Sequence, residues 1–368
     1  MTPPLATDPA GVVLDPITVE LDGKPFRNWE QLRLSRELNA ACGTFELKAT
    51  LSRPWPGKAG ARARILLGEH VAATGYVDGV RLQLTSSGHV VTVHGRDKTS
   101  DLVDCSVPPS VGQLSNVHLI DIVRKLGEPY GVEEDVRENG DLFPTFTPNQ
   151  GESAWSAIEK AARLRGKLCF ATNEGKLRID RPASSRASGS VREGEGELEL
   201  RWENADKFQT YLVRGQGRGS DQGWGDAVAS VKAESFDASI KRPRTLVIIA
   251  ESAVDLATAQ ERADWERTVR WARSASFVAT VRGWRQRWRG PLWELNQLVQ
   301  VKVPRWGFEA DLLVDGLEFS RGDDGSRTTL RLIRPDSYKP EPGSAEGDPF
   351  GEWAERGKSA AEDEDETP

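Results

Sequence analysis

The feature that most constrains the fold is a β-hairpin, predicted within residues 75–104, that recurs near the C-terminus. Val77-Asp78-Gly79-Val80 in the first copy corresponds to Val314-Asp315-Gly316-Leu317 in the second. At the same spacing, the turn glycine Gly88 corresponds to Gly325. A turn glycine at a fixed distance from an Asp-Gly step specifies the same hairpin twice. The sequence therefore predicts an internally duplicated, mainly β chain; the alternative is chance similarity between two generic hairpins.

Short alternating strands fill the first 109 residues. Ile17, Val19 and Leu21 alternate with polar residues and run into an Asp-Gly turn. Several more short strand patterns follow, separated by turn signals, which is typical of a small barrel or sandwich. We therefore expect a first β-barrel over residues 1–109 and, from the repeated hairpin, a second one over residues 198–335.

A compact unit of helices and a hairpin is predicted between the two barrels, at residues 110–182. Apolar residues at helical spacing begin at Leu119, with Asn116 or Ser115 as the expected cap. A second helix is expected from Ser153 to Arg165, followed by a short hairpin. The fold class is thus mainly β with an α+β insert.

Four other segments are marked by their composition or periodicity. Residues 183–197 are small, polar and rich in Gly and Ser, which predicts a linker or long loop. Residues 215–227 are Gly-rich and predict a mobile loop, and Asp255 to Ala272 predicts a helix. Residues 336–368 lose periodicity and end in AAEDEDETP, which predicts a disordered acidic tail.

Length and charge narrow the class of protein. The 368 residues suggest two or three domains at roughly 150 residues each. The net charge of −7 disfavours nucleic acid as a tightly bound partner, because proteins that wrap DNA are usually basic. We expect no secretory signal and no membrane insertion, because the strongest apolar run, at residues 246–250, is far too short to span a bilayer.

No catalytic, metal-binding or cofactor-binding constellation stands out. The four histidines and three cysteines are not at metal-ligand spacing, and we expect the cysteines to be reduced thiols. There is no Gly-x-Ser-x-Gly turn, although a Ser-His-Asp triad built in space stays open. The glycines at 215–219 lack both a following lysine and a helix start, so they do not predict a phosphate loop.

The most unusual composition is at residues 262–293, where arginines and tryptophans interleave. Such a pattern can bind single-stranded nucleic acid, but Arg and Trp are also enriched at protein interface hot spots. Because the chain is acidic, the interface interpretation is favoured. Its candidate residues are Trp284, Arg285, Arg287 and Trp288.

Four segments carry a family resemblance. They are Phe45-Glu46-Leu47, the hairpin that starts at Gly75, GRDKTSDLVDCS at 95–106 and the helix–hairpin run at 151–182, and they resemble the baseplate hub proteins of Mu-type contractile phage tails. Related hub modules occur in other contractile injection systems. The family-signature residues are Gly95, Arg96, Asp97, Asp101 and Leu102. We expect a charged turn at the exit from the first barrel, where Arg96 pairs with Asp97 or Asp101.

The resemblance implies a structural protein of the virion, not an enzyme, assembled in the host cytoplasm. Such hubs carry two similar barrels per chain, and three chains form a ring of pseudo-sixfold symmetry. The expected partners are two further copies, the central spike protein, and the tail tube or adjacent baseplate proteins. DNA would pass through the lumen during genome ejection without specific binding. No cofactor is implied.

Two alternatives stay open. One is a tail-associated cell-wall-degrading enzyme, although the chain has little spare length for a lysozyme-like or peptidase domain. The other is a hub or spike component of a secretion-type injection system, although the repeats of a β-helical needle are missing. The acidic tail and the 262–293 segment have no match to the family at the level of the sequence.

Overall fold

The computed structural model describes residues 15–27, 29–52, 55, 57–85, 88–215, 231–250 and 255–342. The N-terminal part is built of strands that alternate buried and exposed side chains, as a sheet with one solvated face requires. These strands are β1 (Ile17–Leu21), β2 (Lys24–Phe26), β3 (Gln31–Glu37), β4 (Thr44–Leu51), β5 (Arg62–Leu67), β6 (His70–Thr85) and β7 (Gly88–Asp97).

The middle part mixes short helices and strands around a separate apolar core. Its elements are α1 (Ser100–Asp104), β8 (Leu114–Val117), α2 (Leu119–Gly127), β9 (Glu134–Val136), β10 (Phe143–Phe146), α3 (Ala154–Leu164), β11 (Leu168–Ala171) and β12 (Leu177–Asp180). We call this part the insert. The predicted α+β character between the two β-rich parts is confirmed.

The C-terminal part returns to strands and carries the longest helix of the described residues. Its elements are β13 (Ser185–Arg192), β14 (Gly196–Trp202), β15 (Thr210–Gly215), β16 (Val231–Phe236), β17 (Thr245–Ile249), α4 (Leu256–Arg273), β18 (Ala275–Arg282), β19 (Gln297–Val303), β20 (Phe308–Gly322) and β21 (Gly325–Ile333). Strands β15 to β17 form their own small sheet, against which α4 packs.

The mainly β class is confirmed, but the prediction of two barrels is wrong for the described residues. Strands of both halves join one 13-stranded sheet, in the order β14-β18-β21-β20-β3-β4-β7-β6-β5-β1-β2, with β19 also on β20 and β13 on β19. None of the sheets in the described part closes on itself. The physical reason is that β3 pairs with β20 of the other half instead of closing its own half, so the two halves share one core.

The duplicated hairpin is present in the structure in matching detail. β6 pairs with β7, and β20 with β21, both antiparallel. Each pair has a register shift at its aspartate, between Val77 and Gly79 in one and between Val314 and Gly316 in the other. A bulge at the same place in both copies bends the two strands alike.

The predicted helices are confirmed, with one wrong cap. Ser153 caps α3 by accepting a hydrogen bond from the Ser156 backbone N–H at 3.1 Å. Asp255 caps α4 in the same way through Thr258. The cap of α2 is His118, with Asp121 reaching back to the His118 backbone, because Ser115 and Asn116 are already used in strand β8.

The predicted linker at 183–197 is wrong, because β13 occupies most of it. β13 pairs in parallel with β19, and Ala187 and Val191 are buried. One of its glycines is required by close packing: a Cβ at Gly189 would lie 2.2 Å from the Gln286 backbone oxygen. Small residues are common both where two backbones pack closely and in flexible linkers, so composition alone does not distinguish the two.

The start of the predicted acidic tail is also ordered. Residues 335–338 form a short 3-10 helix, Ser337 is buried, and the Trp265 indole donates a hydrogen bond to the Lys339 carbonyl at 2.8 Å. The prediction of disorder is therefore wrong for residues 336–342. Its remainder, at 343–368, and residues 216–227 of the predicted mobile loop lie outside the described residues.

The described helices include none with the length and apolar character needed to cross a membrane. Within the same residues, no group of three or more His, Cys, Asp or Glu side chains is placed to hold a metal ion.

The cap of α3 gives a local stability prediction. Ser153→Ala removes the side-chain acceptor, and losing such a cap costs about 1 kcal/mol. Ser156→Ala is the control, since Ser156 is exposed and only its backbone takes part in the cap. We expect hydrogen–deuterium exchange of the α3 amides to accelerate in Ser153→Ala and to stay unchanged in Ser156→Ala. Equal protection in both variants would show that the cap does not stabilise α3.

Candidate functional site

The family-signature residues lie where β7 leaves the large sheet and enters the insert. Gly95, Arg96 and Asp97 form the end of β7, so the predicted charged turn is wrong and these residues belong to a strand. Asp101 and Leu102 follow in α1. Successive strand residues face opposite sides, so Arg96 and Asp97 point to different environments.

Asp97 is buried and holds a bidentate ion pair. The Arg36 guanidinium donates to both carboxylate oxygens, each at 2.8 Å, and the Gly43 backbone N–H donates to Oδ2 at 2.9 Å. Arg36 is buried as well and donates its remaining nitrogen to the Asn173 side-chain oxygen in the hairpin of the insert. Two buried charges are tolerated because both are paired and hydrogen-bonded.

Arg96 bridges two carboxylates at the surface of the same joint. Its Nε donates to Asp78 at 2.8 Å, and its Nη2 donates to Asp104 at 2.7 Å. The predicted pairing with Asp97 or Asp101 is therefore wrong. The hydrogen bond from Arg96 lowers the pKa of Asp104, and the same bond raises the pKa of Arg96. Burial is the main cause of the raised pKa of Asp101.

The glycine of the signature is required by close packing. A Cβ at Gly95 would lie 2.1 Å from the Tyr76 carbonyl oxygen and 2.4 Å from the Phe45 ring. Gly75 is similarly restricted, because a Cβ there would lie 1.9 Å from the Arg96 oxygen. Leu102 is fully buried in the core of the insert. The signature is thus a rigid joint between the large sheet and the insert.

Sequence reasoning missed Arg36 and Asn173, which complete the joint. A signal for Arg36 was present in β3, where Leu32, Leu34 and Arg36 all point to the same face. A charge on the core-facing side of a strand predicts a buried partner. Asn173 gave no comparable signal, since it lies in a hairpin turn where Asn is common.

The four candidate interface residues divide into two kinds. Trp284 is 2% exposed; its indole donates to the Ser320 carbonyl at 3.0 Å, and the Arg321 guanidinium lies over its ring. Arg285 pairs with Asp15 at 2.8 Å, and this hydrogen bond raises the pKa of Arg285. Both side chains are therefore engaged within the chain.

Arg287 and Trp288 are instead presented to solvent. Arg287 is exposed and Trp288 is 66% exposed. They lie between the two members of a short bridge, Arg285 and Leu292, which holds this loop in place. The exposed part of the predicted interface is thus confined to the tip of the loop.

The cysteine thiols are poorly suited to nucleophilic chemistry. Cys42, Cys105 and Cys169 are free. Burial raises the pKa of Cys42 to about 11 and also raises the pKa values of Cys105 and Cys169. At neutral pH these groups are therefore thiols, whereas the reactive form is the thiolate.

Three family models match the chain. Residues 16–97 match the N-terminal domain of the Mu phage baseplate assembly protein GpP-like family. Residues 99–181 match the second domain of the baseplate hub protein gp44-like family, and residues 255–341 match the fourth domain of the Mu phage baseplate assembly protein GpP. The last match covers the 262–293 segment, which sequence reasoning had left outside the family.

Individual proteins give the same result. The baseplate hub protein gp44 of Escherichia phage Mu is 34% identical over 340 residues, which cover 88% of each chain. The crystal structure of the 43 kDa tail protein of prophage MuSo2 from Shewanella oneidensis superposes with a TM-score of 0.77 at 28% identity, over 88% of this chain and 99% of that one. A tail protein from Neisseria meningitidis shares the fold, with a TM-score of 0.73 at 20% identity, over 89% and 98%.

The buried ion pair gives a second stability prediction. Asp97→Ala leaves the Arg36 charge buried without a carboxylate, and removing one partner of a buried pair costs about 3–5 kcal/mol. Asp104→Ala removes a carboxylate from an exposed pair while Arg96 keeps Asp78, so it costs about 1 kcal/mol or less. Urea unfolding followed by tryptophan fluorescence measures both. A similar midpoint for the two variants would contradict a special role for Asp97.

Proposed function

The chain belongs to the Mu-type family of phage baseplate hub proteins, and from this we propose that three copies form a ring that joins the sixfold tail tube to the threefold central spike. Membership makes it a structural component of the phage tail, and therefore of the virion. The ring, its spike partner and its assembly in the host cytoplasm are the proposed parts.

One observation carries the proposal: the chain contains the same hairpin twice, with the same bulge, in one continuous sheet. A ring of three such chains presents six similar units to the tube while keeping threefold symmetry toward the spike. Closed rings arise when each subunit uses two different surfaces against its neighbours. Duplication within one chain is a direct way to match two symmetries.

The lumen of the ring would let DNA pass without holding it. The net charge of −7 supports this, since affinity for DNA depends mainly on cationic side chains that neutralise phosphates. Many of the arginines are already paired with carboxylates within the chain, as with Arg36, Arg96 and Arg285. An arginine whose charge is balanced by a nearby carboxylate attracts a phosphate less strongly.

We assign no catalytic role to the chain. Its family is described as a baseplate hub, and the residues that mark the family make a structural joint. The raised pKa values of all three cysteines support the same conclusion, because they disfavour thiolate nucleophiles.

The exposed tip at Arg287 and Trp288 is proposed as a contact to the spike or an adjacent baseplate protein. Trp and Arg are the residues most often found at interface hot spots, and an exposed Trp gains most from burial. Trp284 and Arg285 serve this contact indirectly, by fixing the base of the loop.

The ring can be tested by mass. We expect native mass spectrometry of the purified chain, alone and with the spike protein of the same phage, to show a species of three copies of the 40.5 kDa chain. Added double-stranded DNA at physiological salt should leave this mass unchanged. A chain that stays monomeric at high concentration and with the spike would overturn the ring, and a stable DNA complex would overturn passive passage.

The loop tip can be tested by substitution. Trp288→Ala combined with Arg287→Glu should weaken binding to the spike or to a neighbouring baseplate protein by at least about tenfold, the loss expected for a hot-spot Trp. Trp306→Ala is the control, since Trp306 is also exposed but lies outside the loop. Circular dichroism should show both proteins folded. Unchanged binding to every baseplate partner would rule out this contact.

A further inference from the structure

The two halves of the chain are joined by one strand pair, β3 with β20. Phe319 lies opposite Leu34, and Arg321 lies opposite Leu32. The pair is reinforced on its outer face, where the Arg33 Nε donates to Glu318 at 2.9 Å. We call this pair the internal junction.

The order of strand pairing shows which strand of the C-terminal half corresponds to β3 of the N-terminal half. β3 pairs with β4, which pairs with β7; β14 pairs with β18, which pairs with β21. In the first copy Leu34 pairs with Phe45, which pairs with Gly95. In the second copy Leu200 pairs with Phe277, which pairs with Leu332. β14 is therefore the counterpart of β3.

The counterpart of β20 is β6. Phe319 faces Thr328 in one hairpin, as Leu82 faces Val91 in the other, and Arg321 corresponds to Leu84 in the same way. A second junction, between β14 and β6, is therefore encoded by the duplication. Within the described part of the chain this second junction is not formed: β14 pairs only with β18, and beyond Val77 β6 pairs only with β7.

The side chains of the missing junction are apolar; those on β6 are exposed, and on β14 Leu198 and Leu200 are half-buried while Trp202 is exposed. Leu82 is 55% exposed, Leu84 is 86% exposed and Trp202 is 68% exposed. Their counterparts in the internal junction behave differently: Phe319, the equivalent of Leu82, is fully buried. A row of exposed apolar residues along an unpaired strand edge is a ready site for strand addition.

One charged pair of the internal junction has a counterpart in the second junction with the signs exchanged. The internal junction has Arg33 on one strand and Glu318 on the other, joined by an ion pair. The corresponding positions hold Glu199 on β14 and Arg81 on β6. Glu199 pairs with Arg201 of its own strand at 2.7 Å, so it also balances the charge of Arg201, which lies opposite Arg81 in this register. An acid and a base exchanged between equivalent positions preserve the attraction across the pair.

We propose that β14 of one copy adds to β6 of a second copy, antiparallel, with Leu200 opposite Leu82 and Leu198 opposite Leu84. This inference rests on the proposed ring and names the contact that closes it. Each chain supplies one β14 edge and one β6 edge, so the contact is head-to-tail and a closed ring leaves neither edge free. The internal junction and this subunit junction then alternate around the ring.

The occupant is a second copy because the two edges match each other. The β14 and β6 edges repeat the spacing and the apolar pairs of the internal junction, and one of its charged pairs with the signs exchanged. An unrelated protein would not be expected to carry the same pattern. Strands paired in this register place the facing Cβ atoms about 4.5–5.5 Å apart, close enough for an engineered disulfide after small adjustments.

Cysteine cross-linking tests the register. In a background of Cys42→Ser and Cys105→Ser, Leu82→Cys with Leu200→Cys should give oxidised, reducible multimers on denaturing gels. Leu84→Cys with Trp202→Cys is the matched control: both positions are on the same face and exposed, but they are four residues out of register. The control should stay uncross-linked. Cross-linking of the control alone, or of neither pair, overturns the proposed pairing.

Charge exchange provides a second, independent test. Glu199→Arg should weaken assembly by at least about tenfold, because Arg81 would then face only positive charge, from Arg201 and from the substituted position 199, and like charges across an interface are strongly unfavourable. The double variant, Arg81→Glu with Glu199→Arg, should restore most of the wild-type assembly. Lack of rescue, with both variants folded by circular dichroism, counts against the pairing.

The outcomes separate this inference from the ring itself. A wild-type trimer in which Leu82→Cys with Leu200→Cys does not cross-link keeps the ring and overturns the strand pairing. Cross-linked dimers or open ladders without any trimer keep the pairing and overturn the ring. A monomeric wild-type chain that also fails to cross-link overturns both.

Discussion

The buried pair of Arg36 and Asp97 lies at the point where the parts of the molecule meet. Arg36 stands on β3, faces Leu317 of the C-terminal half, pairs with Asp97 of β7 and bonds to Asn173 of the insert. A buried pair adds little net stability over an apolar one, because both charges lose their water. Its effect is specificity: a slip of one residue in β3 would turn Arg36 to solvent and leave Asp97 unpaired.

An aspartate–arginine ion pair also lies at the bulge of each hairpin, at the surface in the first copy. Asp78 accepts from Arg96, and Asp315 accepts from Arg331 at 2.8 Å. Burial is the main cause of the raised pKa of Asp315, and Arg331 also reaches Glu37 of β3. Each bulge aspartate therefore anchors an arginine of the neighbouring strand. Where the chain folds back on its other half, this anchor extends across the internal junction and helps to fix its register.

Local signals predicted local structure well, and long-range pairing poorly. The helices that start at Ser153 and Asp255, and the two copies of the hairpin, depend on neighbours a few residues away. Barrel closure was predicted wrongly because the partner of β3 is far along the chain, in β20. Composition also misled where packing and flexibility look alike, as at Gly189 in β13. Likewise, Trp284 and Trp288 lie in the same Arg- and Trp-rich segment, and only the structure shows that Trp284 is buried and Trp288 is exposed.

The two junctions differ in one physical respect that decides when each forms. The internal junction joins segments of one chain, so its effective concentration is high and it forms as the chain folds. The proposed subunit junction has no such help and would depend on concentration, so its exposed apolar side chains would be covered only when a second copy binds. Exposed edges invite aggregation, and charged side chains on them, such as Arg81 and Glu199, counter it. A chain that folds alone and assembles later suits a hub that must wait for its partners.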